Sequence, residues 1–354
     1  MPPEQTRGVV YAEAGAPAAV EPILVGPPAA GEVLVRVEAS GVCHTDVHVI
    51  ESGGWGMRFP ILLGHEGAGV VEAVGDGVAS VSPGDRVVIA WRAPCGECDA
   101  CRRREPRRCG STRRRATRPR RADGTALSPV LSTGTFTEWC VVHESCAVQV
   151  DLPPEQACLL ACGVMTGVGA ALWATPVRAG SSVAVIGCGG VGLSVVQGAR
   201  IAGAKRIVAI DVAPDKLERA LALGATEAVD AAAAETVDPV EYAFSVVGAP
   251  SALAQAIRLL DYGGTATLVG VPPPDSRLDV DLERDLFHRK AAIRVTHGGD
   301  SVPQQDFPEL ARLAASGELE LASMVTREIE LDEVPKALVT PLAAGEIRTV
   351  VRLD

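Results

Sequence analysis

Ser182-Val183-Ala184-Val185-Ile186 is an apolar run of buried-strand type, and Gly187-Cys188-Gly189-Gly190-Val191-Gly192 follows it directly. A stretch of helical character then runs to Ala202. Strand, glycine turn and helix in succession constrain this chain more than any other feature. Two parallel strands need a crossover helix between them, and such a sheet must be covered on both faces. The alternation continues with Ile207–Ile210 and with a helical stretch from Pro214 to Leu223, ended by Gly224. Further strands are expected at Tyr242–Val247, Thr265–Val269 and Ala292–Val295. Ala231–Ala234 stands where a crossover helix belongs, so one unit reads as shortened. The second half is therefore expected to be α/β, a doubly wound parallel sheet of Rossmann type.

The glycine loop is G-x-G-x-x-G in the context that gives the pattern meaning. Gly187, Gly189, Gly190 and Gly192, with Val191, permit a tight turn and close backbone approach to a pyrophosphate. The helix N-terminus then faces the phosphate charge. Asp211 ends the next strand, 19 residues after Gly192. A carboxylate there accepts hydrogen bonds from ribose hydroxyls and repels a 2′-phosphate, which favours NAD over NADP. Lys216 is a candidate second ribose contact. The alternative for Asp211 is a cap on the following helix.

The first half reads differently. Val33–Val37, Ala68–Val74 and Arg86–Ile89 are short β-type runs bounded by Gly, Pro and Asp, and Ser82-Pro83-Gly84-Asp85 is a turn. The 354 residues suggest two domains, and an apolar content of 47% suffices for large cores. Aromatics are only 3%, so those cores must be built from Ala, Val and Leu. A net charge of -11 argues against nucleic acid as a partner. Met1-Pro2-Pro3-Glu4-Gln5 lacks the start of a secretory leader. No run of about 18 apolar residues is apparent, so no membrane span is expected. The expected location is the cytoplasm, where ten cysteines point to metal binding or catalysis rather than disulfides.

Cys95, Cys98, Cys101 and Cys109 are spaced C-x2-C-x2-C-x7-C. Four thiolates this close can converge on one tetrahedral ion, and zinc is the usual choice. Two disulfides are the alternative reading. Gly41-Val42-Cys43-His44-Thr45-Asp46-Val47-His48 gathers several reactive side chains, as do Gly64-His65-Glu66-Gly67-Ala68-Gly69 and Ala161-Cys162-Gly163-Val164-Met165-Thr166-Gly167. Spacing alone cannot join these distant segments.

In this order, G-V-C-H-T-D, G-H-E-G-A-G, the cysteine cluster, C-G-V-M-T-G and G-x-G-G-V-G resemble the zinc-dependent medium-chain alcohol dehydrogenases over nearly the whole chain. The resemblance implies a catalytic zinc held by Cys43, His65 and Cys162, with a fourth position for water or substrate. It implies a second, structural zinc on the four clustered cysteines, making two per chain. Glu66 is carried over as a nearby carboxylate that ligates transiently, and Asp46 as the group that orients His65. Thr45 and His48 resemble a proton relay from substrate through the cofactor ribose to the surface. His44 stands where relatives often place Arg against the pyrophosphate, and a neutral imidazole would hold NADH less tightly. Thr166, Val269 and Val271 fall at cofactor-contacting positions of the family.

The implied architecture is a GroES-like β-rich catalytic domain, residues 1–163 and 297–354, with a structural-zinc lobe at about 92–112. A Rossmann NAD-binding domain takes 164–296, with the active site in the cleft between the two. The strand near Leu268–Val271 is expected at a sheet edge, which relatives pair across a two-fold axis into a homodimer, with a tetramer as the other option. Trp55 and Trp91 fall at positions that line the family's substrate pocket. The other reading of both is core packing.

Val88–Cys95, Cys162–Met165, Leu268–Pro272 and Asp306–Pro308 are similar to the formaldehyde dehydrogenases that act on thiol adducts, especially the mycothiol-dependent ones. The segment Arg113–Arg121 is far more basic than in that group, and Thr296-His297-Gly298-Gly299 departs from it as well. The basic run reads as a solvated surface loop or as an anion-collecting rim. Cys140, Cys146, Cys158 and Cys188 read as small buried apolar residues.

The function expected is hydride transfer between an alcohol, or a thiol-hemiacetal adduct, and NAD. A dehydrogenase dedicated to a biosynthetic alcohol or aldehyde is the alternative. A polyol-type enzyme would more commonly place Glu where Cys162 stands, and a zinc-free reductase would lack Cys43, His65 and Cys162 as a set. A non-catalytic NAD-binding protein would have no need of the ligands or the relay.

Overall fold

The structure, a computed structural model, describes residues 5–114, 116–340, 343 and 345–353. Met1–Glu4, where a leader would begin, lie outside the described residues, as does Arg115 of the basic loop. The chain forms two compact units. One comprises Met1–Cys162, Val302–Ser316 and Leu321–Asp354; the other comprises Gly163–Ser301 and Gly317–Glu320.

Eighteen strands are formed among the described residues. They are β1 (Thr6–Tyr11), β2 (Ala19–Leu24), β3 (Glu32–Gly41), β4 (Ile61–Leu62), β5 (Gly67–Val74), β6 (Arg86–Ile89), β7 (Arg120–Arg121), β8 (Ser128–Pro129), β9 (Trp139–His143) and β10 (Ala147–Gln149), followed by β11 (Ser182–Ile186), β12 (Arg206–Asp211), β13 (Glu227–Asp230), β14 (Val240–Ser245), β15 (Leu260–Leu268), β16 (Ala292–Val295), β17 (Val325–Glu330) and β18 (Arg348–Arg352).

The first unit is β-rich. One sheet has the order β7-β2-β1-β4-β8; the other runs β10-β6-β5-β3-β18-β17, with β9 also paired to β3. β3 is the spine, antiparallel to β5, β9 and β18 along its length. Its Val33, Val35 and Val37 join Val9, Ile61, Leu63, Val87, Ile89 and Phe136 in one buried cluster, while Leu34 faces a second cluster with Val10, Ile23 and Leu62. Alternate residues of one strand thus serve two cores, as the period of a strand requires.

The second unit is a parallel sheet of order β13-β12-β11-β14-β15-β16. The order reverses at β11, the doubly wound arrangement whose ligands bind beyond the strands' carboxyl ends. Val183–Val185 and Ile207–Ile210 are buried without alternation, because helices cover both faces. A 3-10 helix, Ala231–Thr236, takes the shortened crossover.

Three expectations are corrected. Leu268 is not at an edge: β15 pairs with β14 on one side and β16 on the other, and Ala292–Val295 forms the edge. His297–Ser301 group with the second unit rather than the first. Their turn is packed there, since a Cβ on Gly299 would fall 2.2 Å from the Met165 carbonyl oxygen. The absence of a long apolar segment does not hold either. Pro154–Ala174 is helical throughout and is long and apolar enough to cross a membrane, with 78% of its apolar window buried inside the structure. Burial of that extent marks it as a core helix.

Candidate active site

β3 ends at Gly41, and two residues later Cys43 caps the helix His44–Glu51. Leu63–Glu66 forms the turn into β5, where Gly64 has φ +90 and a Cβ would meet the Phe136 backbone nitrogen at 2.4 Å. Cys162 lies in a π-helical turn, Leu160–Val164. These three segments bring one ligand atom each from Cys43, His65, Glu66 and Cys162 within 4.8 Å of one another. His65 and Glu66 are fully buried.

The donor set fits a zinc ion. Both ring nitrogens of His65 and one Glu66 oxygen (Oε1) are buried without a hydrogen-bond partner. Such atoms are costly unless something coordinates them. Asp46 accepts the Gly64 N–H at 2.9 Å through Oδ1, while Oδ2 lies 3.2 Å from His65 Nδ1, out of line for a well-formed hydrogen bond. The carboxylate therefore fixes the imidazole's orientation and leaves Nε2 for the cluster. The hydrogen bond from Cys162 holds the Cys43 thiol well below its ordinary value, and the same contact pushes Cys162 well above it. Burial pushes the Glu66 carboxyl up to about 8, against the pull of Arg348. An excess of anionic donors in a dry site is the environment that accepts a divalent cation.

Arg348, on β18, is 7% exposed and its guanidinium donates to Glu66 Oε2. Burial alone would lower its pKa, but Glu66, Cys43 and Cys162 outweigh this and raise it. Gly41 makes the pair possible, since a Cβ there would lie 2.1 Å from Glu66 Oε2 and 2.9 Å from Arg348 Nη2. Sequence reasoning missed both residues. The signal for Arg348 was a cation opening a strand, Arg348–Arg352, whose centre is apolar.

The second cluster is formed by Cys95, Cys98, Cys101 and Cys109. Sulfur separations are 3.9 Å for Cys95–Cys101, 3.8 Å for Cys98–Cys109 and 3.6 Å for Cys95–Cys109. A tetrahedron with ~2.3 Å zinc–sulfur bonds has edges of ~3.8 Å. All ten cysteines are free, which removes the disulfide alternative. Backbone N–H groups of Cys98 and Cys95 donate to the sulfurs of Cys95 and Cys109 at 3.2 and 3.3 Å. N–H donors at Glu97 and Cys98 lower the Cys95 thiol to about 6, while burial raises Cys101 to about 12.

In the second unit the glycine loop joins β11 to the helix Gly190–Ile201. Gly187 has φ +95, and a Cβ on Gly192 would fall 1.8 Å from the Gly187 carbonyl oxygen. A Cβ on Gly189 would meet nothing within 4 Å, so open space lies over the helix N-terminus. Asp211 ends β12, and its carboxylate accepts the Cys188 N–H at 2.6 Å and the Ala213 N–H at 3.0 Å. It thus ties the glycine loop to the end of β12 and closes the turn into the helix Pro214–Ala222, whose N-cap position is held by Ala213 without a side-chain cap.

Residues 29–154 match the alcohol dehydrogenase GroES-like domain, and residues 190–316 match the zinc-binding dehydrogenase domain. The chain is 34% identical to alcohol dehydrogenase 1 of Trifolium repens, over 98% of this chain and 97% of that protein. It belongs to the zinc-dependent medium-chain alcohol dehydrogenase family. Its fold superposes on an alcohol dehydrogenase zinc-binding domain protein from Burkholderia ambifaria with a TM-score of 0.91, at 35% identity and 99% coverage of both chains. Benzyl alcohol dehydrogenase of Acinetobacter calcoaceticus gives a TM-score of 0.90 at 29% identity, covering 99% of this chain and all of that one. A putative zinc-binding dehydrogenase of Sinorhizobium meliloti, bound to NADP, gives 0.85 at 27% identity, covering 99% and 100%.

The remaining expected residues of this family member fall as follows. His44 is exposed and His48 half-buried on the same helix, with rings nearly perpendicular at 4.6 Å. Burial, aided by the charge of His44, lowers the His48 pKa. Thr45 is half-buried beside them, and Thr166 half-buried on the helix Met165–Gly169. Lys216 is half-buried on the helix Pro214–Ala222. Val269 is buried just past β15, and Val271 is exposed. Trp91 packs against the main core cluster, whereas Trp55 is 41% exposed in a turn with its backbone N–H donating to Ser52 Oγ. Sequence resemblance had given the two indoles one role, but their surroundings differ. Cys140, Cys146, Cys158 and Cys188 are buried, as expected of apolar filler.

Proposed function

We propose that this family member exchanges a hydride between an alcohol and NAD with two zinc ions per chain. The observation that carries the reading is the clustered set Cys43, His65, Glu66 and Cys162, with His65 and Glu66 fully buried, in a chain that also bears a glycine loop of dinucleotide type. Cys43, His65 and Cys162 would hold the catalytic ion, and Cys95, Cys98, Cys101 and Cys109 the structural one. Bound there, zinc supplies Lewis acidity that makes an alcohol easier to deprotonate or a carbonyl easier to reduce.

The chain's own groups do the rest. Asp46 keeps the His65 ring aimed at the cluster. Arg348 holds Glu66 in reserve, and the unpaired Glu66 oxygen gives the site an occasional extra ligand. Thr45 and His48 carry the proton outward. A depressed pKa keeps the His48 imidazole neutral and able to accept that proton near pH 7. Gly189 leaves room for the pyrophosphate, and Asp211 favours NAD over the 2′-phosphorylated cofactor. His44 beside the pyrophosphate would hold NADH less tightly than an arginine, which a dissociation rate unchanged in His44→Arg would refute.

The substrate we infer is a small primary alcohol or its aldehyde. Similarity to benzyl alcohol dehydrogenase supports including aryl alcohols. The segments similar to thiol-adduct formaldehyde dehydrogenases support a thiol-hemiacetal adduct as the second reading. The free cysteines support a reducing, cytoplasmic setting. The exposed apolar edge strand β16, with Ile293 and Val295 on it, supports a homodimer.

A steady-state screen of NAD reduction tests the proposal, run with aliphatic and aryl alcohols and with formaldehyde plus or minus mycothiol or glutathione. Turnover without thiol supports the alcohol reading. A rate seen only with thiol would replace it by the adduct reading. Absence of turnover in protein holding two zinc ions would remove both.

A further inference from the structure

Residues 97–121 carry eleven arginines against Glu97, Asp99 and Glu105, a formal +8. The chain totals -11, so the remainder stands at -19 (-11 less +8). This basic segment is held in place. The Ala93 N–H bonds the Thr112 carbonyl at 2.7 Å, and the Leu127 N–H bonds Pro119 at 2.9 Å. Glu32, 9% exposed, accepts from the Thr117 N–H and hydroxyl at 2.7 and 2.6 Å. Arg121 is paired with Glu21 through two hydrogen bonds. Ala116 packs on the smaller core cluster. Between these anchors Arg113 and Arg118 are exposed, and Arg104 stands exposed in the cysteine lobe. None of the three pairs with a carboxylate among the described residues.

The same chain exposes the complement. Leu278-Asp279-Val280-Asp281-Leu282-Glu283 alternates apolar and acidic residues, preceded by Asp275. Asp275, Asp279, Asp281 and Glu283 are all exposed. Asp275 and Asp279 have no ion pair among the described residues; Asp281 caps the following helical turn and Glu283 bonds His288. Arg277 is the one cation before Arg284. Leu278 and Leu282 are 37% and 70% exposed, so the segment offers apolar contact along with charge.

We propose that the arginine loop is a docking surface for the acidic segment Asp275–Glu283 of a second copy of the chain. Guanidinium groups take carboxylates in a planar fork, which suits Arg here rather than Lys. Nucleic acid fits less well. No aromatic residue occurs between Trp91 and Phe136 for bases to stack on, and the lobe's helix, Asp99–Arg102, is one turn long. Each copy carries both surfaces, so the contact can close on itself symmetrically. It is separate from strand pairing at β16 and independent of the catalytic reading.

Charge exchange tests it on the full-length, zinc-loaded chain. Sedimentation velocity at about 50 mM and about 500 mM salt brackets the range over which surface pairs become screened. The wild-type mass should fall at high salt. Arg113→Glu/Arg118→Glu, and separately Asp279→Arg/Glu283→Arg, should show the lower mass already at low salt. The combined variant should recover the higher mass. Circular dichroism confirms that each variant is folded. A wild-type mass independent of salt, or a combined variant that stays dissociated, would overturn the proposal. So would retention by a duplex DNA column of wild-type protein but not of Arg113→Glu/Arg118→Glu.

Discussion

Gly41 and Asp46 are small residues with large consequences. Gly41 leaves the space that Glu66 and Arg348 occupy, so Gly41→Ala must displace a buried ion pair. We expect a loss of about 1–3 kcal/mol, the usual scale of overpacking, read from denaturant midpoints. Arg348→Ala should cost more, because it strands Glu66 without its cation. Asp46→Asn should weaken zinc at the His65 site about 10- to 100-fold and leave the four-cysteine site loaded, which metal titration distinguishes. The ligands themselves were legible because cysteine, histidine and glycine recur in a recognisable order. Arg348 was not, because a cation's partner 282 residues away leaves no local pattern.

At the level of elements, the cysteine lobe is tied down by an ion pair besides its sulfur cluster. Arg107, between two of its ligands, donates to both oxygens of Asp306 at 2.7 and 2.8 Å. Asp306 also accepts the Val302 N–H at 2.6 Å where the helix Pro303–Ala315 begins. A double-mutant cycle on Arg107→Ala and Asp306→Asn should give a coupling of about 1–3 kcal/mol. The thiols divide by element too. Burial raises Cys140, Cys146 and Cys188 to about 12, and Cys158 higher still. Chelation should therefore leave Cys95, lowered to about 6, open to iodoacetamide at pH 8, while these four resist until the protein unfolds. Their folded pKa is raised, so their contribution to stability falls as pH climbs from the ordinary thiol value of about 8.5 towards 12. A native-state reaction at Cys140 would contradict this. Strands were legible where apolar runs end in turn residues, as at Arg86–Ile89. The 21-residue helix was not, because Gly163, Thr166, Gly167 and Gly169 interrupt its apolar look while the fold buries it regardless.

Across the whole molecule, β16 is the exposed edge of the parallel sheet, with Ile293 and Val295 40% and 56% exposed. Ile293→Lys should block edge pairing and give monomers by light scattering, with zinc content unchanged. The parallel character of the sheet followed from alternation alone, but its edge did not. β15 and β16 are 23 residues apart, and a segment with little regular structure separates them. Chain length constrains the molecule in another way. Cys162 sits in a π-turn, which accommodates one more residue than the α-helical path around it. Deleting Gly163 would remove the extra residue and let the turn revert to α-geometry, changing where Cys162 projects while the flanking helix keeps its register. The aim of Cys162 at its cluster thus depends on a local count of residues and not only on which residues are present.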